Sequence, residues 1–141
     1  METKLRQIMP VYAKSVFGPG TNSKLVGGIE IIGSASPTYG GKAIKPGDLS
    51  PEARTALNYN LDLSYRRARS IFQFVSDTTR MRFTHQKDFV KNLGVAGRSY
   101  LGVDDNQAQQ FAGVEKDVFC SEFNCDAHQS VILRFNLQGA Q

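Results

Sequence analysis

The stretch from Ser50 to about Asp77 restricts this chain more than any other. Ser50-Pro51-Glu52 is a helix start: a hydroxyl that can cap, a proline whose fixed φ suits the first helical position, and an early acid facing the positive helix end. From there Leu57, Leu61, Ala68, Ile71, Phe72 and Val75 recur at helical spacing. One long amphipathic helix is therefore predicted through to about Asp77, and its apolar stripe needs a surface to cover. Strands supply one. In Lys24 to Ser34, Ile29 and Ile31 fall on one side and Glu30 and Ile32 on the other, which predicts a strand inside a sheet rather than at its edge. Ser130 to Leu137, reading Ser-Val-Ile-Leu-Arg-Phe-Asn-Leu, predicts a final strand.

The rest of the chain fills in around these. Leu5, Ile8, Met9, Tyr12, Ala13 and Val16 predict an amphipathic helix over Thr3 to Phe17, which either kinks at Pro10 or starts there. Gly18-Pro19-Gly20-Thr21-Asn22 ends it. Ser36 to Asp48, with Pro37, Gly40, Gly41, Pro46 and Gly47, is a long loop directly after a buried strand, a common place for binding residues. A further helix is expected over Phe83 to Leu93, a short strand over Gly94 to Val103, and a polar irregular segment over Asp104 to Asn124. The order is that of an α+β two-layer sandwich, with helices packed on one face of a small mixed β-sheet, in one domain spanning residues 1–141.

Composition narrows the partners. A hydrophobic fraction of 40% with 21% charged residues belongs to a globular chain, and a net charge of +4 suits an anionic polymer. Nucleic acid is disfavoured, because the 17 Lys and Arg are scattered and no zinc-finger or RNP-type motif occurs. No apolar segment approaches the roughly 20 residues that span a bilayer. Met1 to Lys4 is charged and lacks a signal-peptide pattern. Catalysis finds little support: the two histidines, His85 and His128, stand beside no recognisable nucleophile and orienting acid.

Chemistry concentrates in Tyr59-Asn60-Leu61-Asp62-Leu63-Ser64-Tyr65-Arg66-Arg67-Ala68. Asn60, Leu63 and Arg67 are spaced i, i+3, i+7 and share one helical stripe. A guanidinium at a helix start, beside a side-chain amide, is suited to gripping a carboxylate through two parallel hydrogen bonds. This run resembles the YNxxLSxRRA signature of the OmpA-like peptidoglycan-binding domain. Ile29-Glu30-Ile31-Ile32-Gly33-Ser34-Ala35-Ser36 is similar to that family's strand ending in a Gly-His-Thr-Asp type turn. The resemblance covers most of residues 4–137 and is specific over about ten helical residues.

The resemblance implies non-covalent binding of the cell-wall stem peptide, usually at its diaminopimelate residue. By position, Arg67 matches the arginine that holds a carboxylate, Asn60 the family's asparagine, and Tyr59 and Leu63 the pocket wall. Ser36 falls where the family has an aspartate that receives the ligand's ammonium. A hydroxyl supplies no charge there, and a charge-assisted hydrogen bond is worth about 1.5–3 kcal/mol against about 1 for a neutral one, so weaker binding or an altered preference is expected. Gln129 and Ser130 stand where the family often has two arginines before its last strand, and the family's first strand has no counterpart ahead of the first helix. The implied setting is a piece of a longer protein, or a sheet completed by a partner strand. The long insertion between Ser36 and Tyr59, together with the extended loop after the first helix, resembles the B subunits of ion-driven stators. Asn58 to Ala68, with the Pro37–Pro46 loop, is most similar to the membrane subunit of Zorya anti-phage defence systems, and next to the flagellar motor stator. That implies a periplasmic domain anchored at the inner membrane, a homodimer, and an ion-channel-forming partner subunit. The alternative is an interaction or dimerisation module that kept the fold and lost the ligand. No cofactor or metal is expected.

Cys120 and Cys125 have four residues between them. A disulfide closing this loop would fit an oxidising compartment. Free thiols, or zinc shared with His128 and His85, are the other readings, although the spacing matches no standard closed zinc site. Asp104, Asp105, Asp117, Glu122 and Asp126 make the late segment acidic without EF-hand spacing. Asp62 can pair with Arg66 one turn away, or stand in for the missing aspartate.

Overall fold

A computed structural model describes residues 2–20, 26–103 and 109–137. Along the chain run α1 (Glu2–Phe17), β1 (Val26–Gly33), β2 (Thr38–Tyr39), β3 (Lys42–Ala43), α2 (Pro51–Ser76), α3 (Gln86–Lys91), β4 (Leu93–Gly97), a single 3-10 turn (Gln109–Phe111), α4 (Lys116–Glu122), α5 (Cys125–His128) and β5 (Val131–Leu137). β1 is the middle strand of the order β4-β1-β5, the place its apolar character predicts, and β2 with β3 forms a separate hairpin.

The backbone register makes the three-stranded sheet mixed. The Ile29 N–H donates to the Asn92 carbonyl at 2.9 Å and the Arg98 N–H to the Gly33 carbonyl at 3.0 Å, so β1 and β4 advance together. The Ser34 N–H donates to the Ser130 carbonyl at 2.9 Å, while Glu30 pairs with Arg134, so β5 runs against β1. The fold is α+β, with helices packed against this small sheet. No helix among the described residues is long and apolar enough to cross a membrane.

The chain packs as two compact units, one of Met1–Ile31, Arg69–Val95 and Ile132–Gln141, the other of Ile32–Ala68 and Ala96–Val131. In the first, Leu5, Met9 and Ala13 form the buried stripe of α1, joined in the core by Ile29, Ile31, Ile71, Phe74, Val75, Met81 and Phe89. The ring of Tyr12 meets that of Phe135 edge-on at 5.9 Å. The guanidinium groups of Arg6 and Arg80 lie over the Phe74 ring at 5.2 and 4.7 Å, and Arg80 also pairs with Glu2. Helix α1 passes through Pro10 rather than starting there, which deprives the Arg6 carbonyl of its helical donor.

In the second unit, the buried face of α2 is Ala53, Ala56, Asn60, Ser64 and Ala68. This corrects the expected stripe: Leu57 is half-buried and Leu61 is 42% exposed. Two glycines explain the shift. A Cβ on Gly33 would stand 1.9 Å from the Ser64 carbonyl oxygen, and one on Gly97 would stand 2.6 Å from the Tyr65 nitrogen. Only small side chains let backbone approach so closely, and hydrogen bonds replace the missing apolar bulk. Ser64 Oγ donates to the Leu61 carbonyl at 2.9 Å and accepts the Ser99 N–H at 3.0 Å. Ser99, buried at a φ of 54°, donates from its Oγ to the Leu57 carbonyl at 2.8 Å.

The start of α2 matches its sequence signals. Ser50 Oγ accepts the Ala53 N–H at 3.3 Å, and the Ser50 N–H donates to Asp48 Oδ1 at 2.9 Å. Three other expectations are corrected. The helix predicted over Phe83 to Leu93 is confined to α3, because His85 takes a φ of 69° ahead of it and Asn92 ends it. The strand predicted over Gly94 to Val103 stops at Gly97, because Arg98 to Val103 folds into turns, with the Leu101 N–H donating to the Arg98 carbonyl at 3.0 Å. The segment predicted as irregular contains α4, whose Phe119 packs with Phe123, Ala43 and Cys125. Positions 21–25 of the expected turn and strand, and Asp104 and Asp105, lie outside the described residues.

Candidate functional site

The hairpin β2–β3 builds one wall of the site. Thr38 pairs with Ala43 and Tyr39 with Lys42 across Gly40 and Gly41, whose φ values of 59° and 77° are those a tight two-residue turn requires. The hairpin is held by the Lys116 N–H, which donates to the Gly41 carbonyl at 2.7 Å, and by the Ala43 N–H, which donates to the Val114 carbonyl at 2.8 Å. The opposite wall is the Tyr59 to Arg67 stretch of α2. Between them lies a hollow of about 210 Å³, all of it within one compact unit.

All five residues singled out in the sequence, Ser36, Tyr59, Asn60, Leu63 and Arg67, line this hollow. Arg67 is half-buried, with Nη1 donating to the Ser34 carbonyl at 3.0 Å and Nη2 to Gln129 Oε1 at 3.4 Å. Burial pushes its pKa below the ordinary value and Tyr59 opposes that, but a guanidinium stays charged. Both partners are neutral, and no carboxylate among the described residues pairs with Arg67. The cation is thus positioned without being neutralised. It sits well inside the 26-residue helix and not at its tip, which corrects the expected placement and removes any help or hindrance from the helix ends.

Asn60 lies within the helix. Its Nδ2 donates to the Ala56 carbonyl one turn back and to the Thr38 carbonyl on the hairpin, both at 3.0 Å. The amide therefore fastens the two walls together. Its Oδ1 accepts nothing among the described residues and is not sealed from solvent, and Asn60 lines the hollow. Tyr59 is 50% exposed and meets Tyr39 edge-on at 5.2 Å, forming an aromatic rim. Leu63 is half-buried on the same wall.

Ser36 is buried, and its Oγ accepts from Gln129 Nε2 at 3.1 Å and lies 3.5 Å from Thr38 Oγ1. A continuous polar chain runs Arg67, Gln129, Ser36, Thr38 across the floor. Gln129 is the residue the motif did not nominate. Its place follows from the fold: β5 runs antiparallel to β1, so the residue just ahead of β5 lies beside those just after β1. Lys116 also lines the hollow, on a segment expected to be irregular.

Asp62 does not stand in for the missing aspartate. It pairs with Arg66 at 3.0 Å with both side chains more than half exposed, a surface contact worth less than about 1 kcal/mol. Cys120 and Cys125 are joined in a disulfide, with Cα atoms 5.3 Å apart. Their sulfurs are thereby withdrawn from zinc, and His128 stacks on Phe123 at 4.5 Å instead. No cluster of metal-ligating side chains occurs among the described residues, and His85 belongs to the other compact unit.

The residues lining the hollow carry two cations, amides and hydroxyls, a set suited to oxyanions. Comparison of the chain with protein-family models, with curated proteins and with solved structures found no match to any of them.

Proposed function

We propose that this domain binds peptidoglycan non-covalently, the hollow taking an acid group of the stem peptide and so tethering a larger assembly to the cell wall. The observation that carries the reading is a half-buried guanidinium, Arg67, that is aimed by neutral partners, has no carboxylate partner among the described residues and lines a hollow. Arg67 grips the carboxylate, Asn60 Oδ1 accepts from the ligand backbone, and Leu63 and Tyr59 give apolar contact. Ser36 contributes a hydroxyl rather than a charge.

In the wider setting the sequence resemblance suggests, the domain is the periplasmic part of an inner-membrane-anchored, dimeric stator subunit, of the Zorya defence or flagellar type. Its channel-forming partner would do mechanical work against the anchored wall. The Cys120–Cys125 disulfide supports an oxidising compartment.

Co-sedimentation with purified cell-wall sacculi tests the binding step. The wild-type domain pellets with the sacculi, and Arg67→Ala stays in the supernatant. A wild-type domain that never pellets, yet elutes as a tight dimer, would replace this reading with that of an interaction module.

A further inference from the structure

Among the described residues the hollow is charged with one sign only: Arg67 and Lys116 line it, its other polar side chains include Ser36, Thr38, Asn60 and Gln129, and no described lining residue is acidic. Lys116 opens α4, and its own N–H bond to the Gly41 carbonyl fixes its Cα beside the hairpin turn. Its side chain is exposed and forms no ion pair among the described residues. Glu115 and Asp117 flank it in sequence but do not line the hollow, and Asp62 is held by Arg66.

An ammonium group entering such a site meets two cations and, among the described residues, no carboxylate. Resting on the reading that the hollow takes a peptide acid group, we infer that it is selective for anions: its ligand is an N-acylated amino-acid segment bearing carboxylates and no free ammonium, with Lys116 as a second carboxylate anchor beside Arg67. In a wall peptide, a diamino residue loses its ammonium and keeps its carboxylate when the amine is acylated in a cross-link. The hollow therefore prefers cross-linked stem peptides to open ones. Ser36 is the residue that sets this preference, because a hydroxyl bonded to Gln129 offers an ammonium no compensating charge.

The test is calorimetric titration of the purified domain, at low salt, with two synthetic stem tripeptides ending in diaminopimelate. One carries a free distal amine and the other has that amine acetylated. The acetylated peptide binds about fivefold more tightly, the scale of one partly screened charge contact. Lys116→Gln weakens the acetylated peptide about fivefold and Lys116→Arg restores it, while Ser36→Asp turns the preference toward the free amine. Equal or tighter binding of the free-amine peptide to wild type overturns the inference, as does a Lys116→Gln variant with unchanged affinities. Those results leave the carboxylate-binding reading standing if Arg67→Ala still abolishes binding. Failure of both peptides to bind wild type overturns both.

Discussion

Gly33→Ala probes the approach of backbone to backbone on which the site's geometry depends. The added Cβ would lie 1.9 Å from the Ser64 carbonyl oxygen, 2.8 Å from its carbon and 3.3 Å from the Ala68 nitrogen. Ordinary contact begins near 3.4 Å, so strand and helix must separate by about 1.5 Å, and no flexible side-chain tip is there to yield. Overpacking a core commonly costs 1–3 kcal/mol, and a clash with main chain belongs at or above the upper end, about 3 kcal/mol. For a chain of this size that lowers Tm by about 10 °C. The separation also draws the Ser34 carbonyl away from Arg67 Nη1, so wall binding falls along with stability. Gly28→Ala is the control. It lies in the same strand, and the nearest atom to its Cβ is the Asn92 carbonyl oxygen at 4.0 Å, so its cost stays within about 0.5 kcal/mol. Urea unfolding of both variants, followed by circular dichroism, reads the difference. Equal midpoints would refute the claim that α2 rests directly on the end of β1.

Further expectations follow from particular groups. Ser64→Ala strips the Ser99 N–H of its acceptor in a buried site, costing about 1–3 kcal/mol in urea unfolding. Asn60→Ala unfastens the helix from the Thr38 carbonyl, so stability falls by about 1–3 kcal/mol and sacculus binding falls too. Reducing the Cys120–Cys125 bond opens a short loop and costs about 2 kcal/mol on the chain-entropy account, read as a lower Tm in dithiothreitol. Asp48 is held below the ordinary carboxylate range by its hydrogen bonds with Ser50. Its contribution is present above the unfolded-state pKa and is lost as pH falls through the lowered folded value, so Asp48→Asn reduces the loss of stability on acidification, measured by thermal melts below pH 4.

What the sequence disclosed, and what it hid, divides along physical lines. Helix α2 was legible because its start is chemically explicit in Ser50, Pro51 and Glu52, and β1 was legible as an interior strand from Ile29, Ile31 and Ile32. The face of α2 was misplaced, since hydropathy points to Leu57 and Leu61 whereas the packing is decided by Gly33 and Gly97, which demand Ala and Ser. Helix α4 escaped notice because its seven residues are mostly polar and only Phe119, with Phe123 beyond its end, is buried. The site followed the same division. Ser36, Tyr59, Asn60, Leu63 and Arg67 sit on two recognisable segments and meet at one hollow. Gln129 and Lys116 reach it only through tertiary placement: one by strand reversal, the other by a helix docked on the hairpin.

The most direct test of the account is an NMR titration of the domain, isotopically labelled at its arginine side chains, with a soluble stem peptide. The guanidinium resonance of Arg67 should shift saturably, together with the Gln129 side-chain amide, while that of Arg66 on the exposed ion pair stays put. An unmoved Arg67 signal at peptide concentrations that saturate shifts elsewhere would contradict the assignment of this hollow as the binding site.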